Sequence, residues 1–339
     1  MLASTQVFLL LVSLFASLAI CAWLVRYRGR FAVLDVPNER SLHEKAVPRL
    51  GGLGIVVGIG TYVVFTLFQT SLDSKYMWVL VEAVPVMLVS FVDDFMKLHP
   101  LIRLAVHFVA AGILIHSGLA LDTITFAGTS LSLGELAIPV TVIFIVWMVN
   151  LYNFMDGMDG FAGGMTLVGF STLALVGLLS GATGFAGLAG VVAAAAGGFL
   201  VFNFPPARLF LGDVGSSTLG LLAAALILSA DLQKVLPFWL GLLVFSPFVV
   251  DATLTLIRRL LAGDKVWQAH CSHYYQRLAR SGWGHRRTVL WEYLLMLGTA
   301  ISAILLFYNN NPGFELGVFV VWAVLYGGLA AWVTRRESV

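Results

Sequence analysis

The sequence predicts an all-α integral membrane protein, a polytopic bundle of about eleven transmembrane helices with its polar loops gathered on one side. Hydrophobic residues make up 59% of the 339 residues and charged residues only 11%, whereas a soluble domain carries about 25% charged residues. Most of the apolar runs are long enough to cross a hydrocarbon layer of about 30 Å. This composition leaves little room for a separate soluble domain, so we predict one membrane-embedded domain over residues 1–339.

The first apolar run is predicted to be a retained helix. It lacks the basic start of a signal peptide, and a basic cluster at 26–30 follows it. Gly and Pro inside several later runs do not exclude helices, because packing partners can satisfy the backbone groups that they free. The predicted spans are 5–25, 51–70, 77–92, 103–121, 135–152, 161–180, 184–204, 214–230, 235–257, 288–307 and 314–333.

The positive charges give these helices an orientation. If the N-terminus lies outside, all of the 20 Lys and Arg residues except Lys75 and Lys234 fall on the cytoplasmic side. This bias follows the positive-inside rule, so we expect a cytoplasmic C-terminus as well. On the outer side, the segment 122–134 alternates polar and apolar residues and predicts a small hairpin.

Acidic residues at the edges of the apolar runs are the strongest functional signal. An ionised group beside a bilayer core is costly, so such a position marks function by default. The predicted orientation places five of these acids on the cytoplasmic face, where they could form one site and bind Mg²⁺ together with substrate phosphates. The five are Asp93, Asp94, Asp156, Asp159 and Asp213.

These acids also have plainer structural interpretations. Asp213 comes directly before a predicted helix and could be its N-cap. Asp93 and Asp94 are adjacent at the end of a span, where they could simply be solvated, or where one of them could accept a proton.

Polar and basic residues accompany the acids on the same face. Asn150, Asn153 and Asp156 are spaced by three, so they share one helix face if the helix continues, although they could also be no more than a polar helix end. Gly157 and Gly160 then allow a tight turn. Several basic residues could neutralise phosphate or contact lipid headgroups: Lys45, Arg49, Lys97, Arg103, His270, His273 and Arg277.

Five segments, taken in order, resemble the polyprenyl-phosphate N-acetylhexosamine-1-phosphate transferase family, a bacterial glycosyltransferase family 4 group. Any one of them is weak evidence, whereas five in the family's order on one predicted face are specific. The segments are DVPNERSLH at 35–43 with PRLGG at 48–52, DDFMK at 93–97, NLYNFMDGMDG at 150–160, NFPPARLFLGDVGS at 203–216 and HCSHYYQRL at 270–278.

The resemblance implies an enzyme of the bacterial inner membrane, with a periplasmic N-terminus and a cytoplasmic active site. It implies transfer of N-acetylhexosamine 1-phosphate, including a 6-deoxy form of the sugar, from a UDP-sugar to undecaprenyl phosphate, with release of UMP. The expected partners are undecaprenyl phosphate, UDP-N-acetylhexosamine and membrane lipids, with no nucleic acid, and a homodimer is left open.

The resemblance also implies residue roles. Asp93, Asp94 and Asp213 would be catalytic, with Asp213 as the ligand of Mg²⁺, or of Mn²⁺ in its place. Asp93 would lie near the lipid phosphate. The loop at 150–160, with Asn203, would bind the nucleotide and diphosphate. Lys97 and Arg103 are candidates for the carrier phosphate, and the remaining basic residues are candidates for substrate binding.

Asp251 bears on the branch of the family. It lies seven residues before Arg258, or about 10 Å inside the apolar run, so we expect a structural or carrier-positioning role with Arg258 as its partner. The segment 247–251 and Arg258-Arg259 resemble the branch that initiates O-antigen and related surface glycans. The muramyl-pentapeptide branch typically has three consecutive His residues, from which the His270 and His273 spacing departs.

Two alternatives remain from the sequence. One is phospho-MurNAc-pentapeptide transferase activity in peptidoglycan synthesis. The other is a proton-coupled transporter, which could use the intramembrane acids Glu82, Asp251 and Glu292. Transport is disfavoured because the main acids gather at one face and not near the midplane, where carriers bind their substrates.

Overall fold

The structure is a computed structural model that describes residues 2–27, 33–36, 46–68, 75–265, 270–309 and 311–336. Lys45, predicted to bind substrate, lies outside the described residues, as do 37–43 of the first resembling segment. The helices are Leu2–Arg26 (α1), Gly51–Phe68 (α2), Lys75–Met96 (α3), Pro100–His116 (α4), Ala137–Phe154 (α5), Phe161–Leu179 (α6), Thr183–Asn203 (α7), Gly212–Leu232 (α8), Phe238–Val244 (α9), Ser246–Leu261 (α10), Tyr274–Leu278 (α11), Gly284–Tyr308 (α12) and Pro312–Arg336 (α13).

The helices confirm the all-α polytopic architecture. Each predicted span overlaps a helix. In the described part of the chain, eight helices are long and apolar enough to cross a membrane, or nine if α9 and α10, which meet at 85°, form one bent span. The predicted spans 77–92 and 103–121 fall on α3 and on the shorter α4, which are outside this group. The count of eleven therefore stays a prediction.

Helix α8 forms the centre of the bundle and is almost wholly buried. Its Gly, Ala and Ser residues let neighbouring backbones approach closely. A Cβ added at Gly220 would lie 2.6 Å from the carbonyl oxygen of Met148 in α5, and one added at Gly52 in α2 would lie 2.4 Å from Cα of Gly215. The starts of α2 and α8 are therefore held side by side.

Four helix ends meet at one face of the bundle. Helices α3 and α5 end where α2 and α8 begin, and side chains from these ends bond to one another. At the opposite end of α5, the predicted hairpin is confirmed as two antiparallel strands, Thr123–Phe126 (β3) and Thr129–Ser132 (β4). Earlier in the chain, two short strands, Leu34–Asp35 (β1) and Val47–Pro48 (β2), pair just before α2.

The last helix, α13, packs only loosely on the rest of the bundle. Its buried residues are Glu315 and Val333, near its two ends. A Glu315 carboxylate oxygen accepts a hydrogen bond from the backbone N–H of Ala127 at 2.7 Å. The Tyr326 and Ser246 hydroxyls are 2.8 Å apart.

Candidate functional site

Arg49 joins two of the predicted site acids. Its Nη2 lies 2.9 Å from Oδ1 of Asp94 and 2.8 Å from Oδ2 of Asp213. The same Asp94 carboxylate accepts the backbone N–H groups of Asp213 (2.9 Å) and Val214 (3.1 Å), so the last turn of α3 supplies an anion to the positive N-terminus of α8. Because the Asp94 side chain is wholly buried and that of Asp213 is 16% exposed, Asp213 is the more accessible of the two.

Arg103, in the first turn of α4, approaches Asp213 from beside the turn that joins α3 to α4. Its Nη1 lies 2.8 Å from Oδ2 of Asp93, and its Nη2 lies 3.8 Å from Oδ1 of Asp213. Asp93 also accepts the backbone N–H of Leu98 at 2.6 Å. The exposed Lys97 occupies this turn with a φ of 49°. Asp213 is thus flanked by two guanidinium groups.

The last turn of α5 adds an amide to this cluster, and the loop after it adds a fourth acid. The Asn153 side-chain amide donates hydrogen bonds to Asp213 Oδ1 and, at 3.2 Å, to Ser216 Oγ. The pKa of the half-buried Asp156 carboxyl is raised by its removal from water and further by the nearby Asp213 carboxylate. Arg49 opposes this rise in the pKa. We call this group the acidic cluster: Asp93, Asp94, Asp156, Asp213, Arg49, Arg103 and Asn153.

The N-cap interpretation of Asp213 is wrong. Asp213 is the second residue of α8, and the N-cap residue Leu211 provides no side-chain cap bond. Its carboxylate instead accepts from Arg49 and Asn153. The end of α8 is capped by Asp94 from another helix, which leaves Asp213 facing the opening of the site.

Other predicted binding residues brace the loops around the cluster. Asp159 lies 3.0 Å from His285 Nδ1 and accepts the backbone N–H of Ala207 at 2.9 Å. Asn203 accepts from the Gly160 N–H at 3.0 Å and donates to the Leu209 carbonyl at 2.9 Å. These bonds tie the 155–160 loop to the 204–211 loop, and substrate contact by Asp159 and Asn203 stays a prediction.

Asn150 lies one helical turn before Asn153, deeper in α5. Its side-chain amide donates to the Val146 carbonyl at 2.7 Å and lies 3.4 Å from His107 Nδ1. The structure therefore does not place it against Asp213 as it does Asn153.

The expected ion pair between Asp251 and Arg258 is wrong. The Asp251 carboxylate accepts the backbone N–H groups of Tyr274 (3.0 Å) and Tyr275 (2.9 Å) and lies 3.2 Å from His273 Nδ1. Arg258 donates instead to the Ser272 carbonyl. The reason is that α11 directs its unpaired N-terminal N–H groups at α10, and these groups attract a carboxylate.

The contacts with Asp251 help to hold the segment 270–278 against the end of α5. The His273 ring stacks on Phe154 with centroids 6.0 Å apart, and His270 stacks on His273 at 4.9 Å. Arg277 lies over the Tyr274 ring at 5.1 Å. The predicted residues His270, His273 and Arg277 thus form a second group beside the 155–160 loop.

We expect Asp251→Asn to weaken this second group more than Arg258→Ala does. The Asn side chain keeps an oxygen for one of the N–H groups of Tyr274 and Tyr275 but turns an NH2 donor toward the other, and a mispaired buried donor costs about 1–3 kcal/mol. The thermal midpoint in detergent should fall further for Asp251→Asn, and the KM for the donor substrate should rise. A larger loss of folded protein for Arg258→Ala would contradict the capping role.

His270 makes the stability of this loop depend on pH. Burial lowers its pKa from 6.5 to about 4, with a further contribution from His273. Between these values the unfolded chain takes up a proton that the folded chain does not, so stability is present above pH 6.5 and is lost as the pH falls toward 4. The thermal midpoint of His270→Gln minus that of wild type should therefore grow as the pH falls from 7 to 4. His116→Gln, at an exposed position, is the control. An equal pH response of both variants would contradict the role of His270.

Three residues of this region are given no role by the sequence analysis, although Tyr275 lies within the resembling segment 270–278. His285 contacts Asp159, the Tyr293 hydroxyl donates to the Gly160 carbonyl at 2.7 Å, and the Tyr275 hydroxyl donates to the Phe154 carbonyl at 3.0 Å. His285 and Tyr293 come from α12, far along the chain, and reach the loop only because α12 packs beside α6. Spacing rules detect local faces and not such long-range contacts.

The acidic cluster fits a magnesium site that substrate would complete. Among the residues that the structure describes, no three His, Cys, Asp or Glu side chains form a ready-made metal site. Mg²⁺, however, commonly uses one or two carboxylates with water and substrate phosphates. Four acids face only two guanidinium groups here, so the cluster carries excess negative charge when it is ionised, and Asp213 is accessible enough to serve as a ligand.

The helices and the arginine-flanked acids define a multi-pass membrane protein with one acidic site at the bundle's face. The model of glycosyl transferase family 4 matches residues 76–231. A Bacillus subtilis (strain 168) protein named "Probable undecaprenyl-phosphate N-acetylglucosaminyl 1-phosphate transferase" is 31% identical, over 93% of this chain and 88% of that protein. The chain therefore belongs to the polyprenyl-phosphate N-acetylhexosamine-1-phosphate transferase family.

Two further relatives represent different branches. An undecaprenyl-phosphate alpha-N-acetylglucosaminyl 1-phosphate transferase of Haemophilus influenzae is 24% identical, over 98% of this chain and 95% of that protein. A phospho-N-acetylmuramoyl-pentapeptide-transferase of Halalkalibacterium halodurans is 27% identical, over 78% of this chain and 85% of its own length.

Proposed function

We propose that the chain transfers an N-acetylhexosamine 1-phosphate from a UDP-sugar to undecaprenyl phosphate. An oxygen of the carrier phosphate attacks the phosphorus next to the sugar, the bond to UMP breaks, and undecaprenyl-diphospho-sugar forms. The observation that carries this proposal is the meeting of Arg49, Arg103 and Asp213 at one face. Guanidinium groups bind phosphate oxygens well, and joining two phosphate-bearing substrates needs alignment and charge neutralisation above all.

Asp213 is the proposed ligand of Mg²⁺, or of Mn²⁺ in its place. The bound ion would withdraw charge from the diphosphate and improve UMP as a leaving group. Asp93 and Arg103 lie together at the α3–α4 turn, and we assign them to the carrier phosphate. Asn153 at the end of α5 and Asp156 in the loop after it lie near Asp213. We assign both residues to the nucleotide diphosphate.

The names of the relatives favour UDP-N-acetylglucosamine as the donor. Initiation of O-antigen or related surface glycans stays the proposed role. The relative named for the muramoyl-pentapeptide reaction keeps that reaction as the alternative. The transport alternative has less support, because Glu82 hydrogen-bonds Ser117 and Asp251 caps α11. The inner-membrane location, the periplasmic N-terminus and a homodimer stay predictions.

The test is UMP release by purified protein with Mg²⁺ and undecaprenyl phosphate, measured over a panel of UDP-N-acetyl sugars. We expect UMP with a small N-acetylhexosamine donor, none without the carrier lipid, and exchange of labelled UMP into the UDP-sugar. Free sugar or inorganic phosphate as the main product would contradict the reaction. UMP release only with UDP-MurNAc-pentapeptide would select the alternative branch.

A further inference from the structure

A long apolar cavity lies between α10, α11, α12 and α13. Its volume is about 660 Å³, within the range of about 300–1,000 Å³ for sites that hold small apolar molecules. Leu254, Leu278, Leu295 and Leu329 are among the residues that line it. None of the residues of the acidic cluster reaches it, so it is distinct from the proposed active site.

The loose packing of α13 creates this cavity. The helix is buried near its ends at Glu315 and Val333, and most of the side chains between them are not covered by the described residues. An apolar cavity of this kind excludes water. In a bilayer, hydrocarbon is the medium that would fill it.

The depth of the cavity matches one leaflet. Its lining on α13 runs from Leu325 to Arg336, which corresponds to about 16 Å at 1.5 Å per residue. This is roughly half of the ~30 Å hydrocarbon core. The cavity therefore suits an acyl chain that enters from a single side of the membrane.

Two arginines on aromatic rings stand at the mouth. Arg287 lies 4.1 Å from the Trp283 ring centroid, and Arg336 lies 5.7 Å from that ring and 4.6 Å from Trp332. Trp is typical of the membrane interface, and Arg recognises phosphate. The mouth lies at the same face as the acidic cluster, because His285 at the start of α12 contacts Asp159.

We propose that this cavity binds an anionic phospholipid, with an acyl chain between α12 and α13 and its headgroup phosphate on Arg287 and Arg336. The proposed occupant is not the carrier lipid, because none of the residues of the acidic cluster lines the cavity. Two acids also line the cavity, Asp251 and Glu292. The Asp251 carboxylate is turned to the N–H groups of Tyr274 and Tyr275, and Glu292 lies five residues further along α12 than Arg287.

Native mass spectrometry of the full chain tests this proposal, with phosphatidylglycerol and phosphatidylcholine compared at equal concentration. Wild type should retain phosphatidylglycerol in preference. The double variant Arg287→Gln with Arg336→Gln should lose about thirtyfold in that preference, since each basic residue near a membrane surface contributes about 1 kcal/mol. The matched control, Arg286→Gln with Arg335→Gln, removes the same charge from neighbouring positions and should retain the preference.

A cavity-filling variant separates this site from surface attraction. Ala330→Trp leaves both arginines in place but occupies the space of the acyl chain, so it should also lose the bound phospholipid while keeping a near wild-type thermal midpoint. Equal loss in the control pair would overturn the proposal. So would displacement of phosphatidylglycerol by undecaprenyl phosphate at this mouth, or a dimer that buries α13 without lipid. Each outcome is independent of UMP release.

Discussion

Replacing Asp213 with Asn is expected to lower turnover by about a thousandfold while the protein still folds. The variant keeps the shape of the side chain and one acceptor oxygen, which can serve either Arg49 or Asn153, but it loses the proposed anionic ligand. A metal ion contributes several kcal/mol of charge stabilisation in the transition state, and each ~1.4 kcal/mol is a factor of ten in rate. UMP release and the thermal midpoint in detergent measure the two effects.

The control for Asp213→Asn is Asp122→Asn, which removes an exposed carboxylate at the far end of the bundle and should leave turnover unchanged. Near wild-type turnover of Asp213→Asn at ordinary Mg²⁺ would show that the ligand lies elsewhere in the cluster.

Gly52→Ala is expected to lower the stability of the protein substantially at this face of the bundle. The added Cβ would lie 2.4 Å from both the backbone nitrogen and Cα of Gly215. Backbone cannot yield as a flexible side chain does, so α2 and α8 must separate. Overpacking typically costs about 1–3 kcal/mol, and we expect the upper end. Turnover should fall too, because Arg49, which contacts Asp213, lies directly before α2 and would move with it.

Gly60→Ala is the matched control on the same helix. No atom lies within 4 Å of a Cβ placed there, and alanine favours helix by about 1 kcal/mol over glycine. Its thermal midpoint should equal or exceed that of wild type, whereas that of Gly52→Ala should fall. Equal midpoints for the two variants would show that the α2–α8 crossing tolerates a methyl group.

The sequence predicts the helices and the face of the site because both depend on local patterns. Each apolar run that predicts a span overlaps a helix of the structure. The alternation of polar and apolar residues locates the β3–β4 hairpin. Acids at span ends, such as Asp93 and Asp213, meet at one face of the bundle, as the topology inferred from the cation bias predicts. Their convergence is a consequence of topology, which hydropathy and charge can reveal.

Partners chosen by tertiary packing could not be predicted in this way. The sequence predicts that Asp251 pairs with Arg258, two turns along the same helix. In the structure, Asp251 instead accepts backbone N–H groups from the start of α11, more than twenty residues away. Asp94 is similar, since its adjacency to Asp93 gives no hint that it caps α8. In both cases the partner is an unpaired helix N-terminus, which side-chain spacing does not describe.

The burial of α8 has a consequence for how the protein is made. Of the helices in the described part of the chain that can span a membrane, α8 is the least apolar and the most buried. Hydrocarbon alone therefore holds it weakly, and close packing against earlier helices must retain it. Its main neighbours, α2, α3 and α5, all leave the ribosome before it. Because Asp213 lies in the first turn of α8, a nascent chain that stops short of this helix carries Arg49 and Arg103 without the acid that both guanidinium groups approach. The proposed metal site is therefore completed late in synthesis.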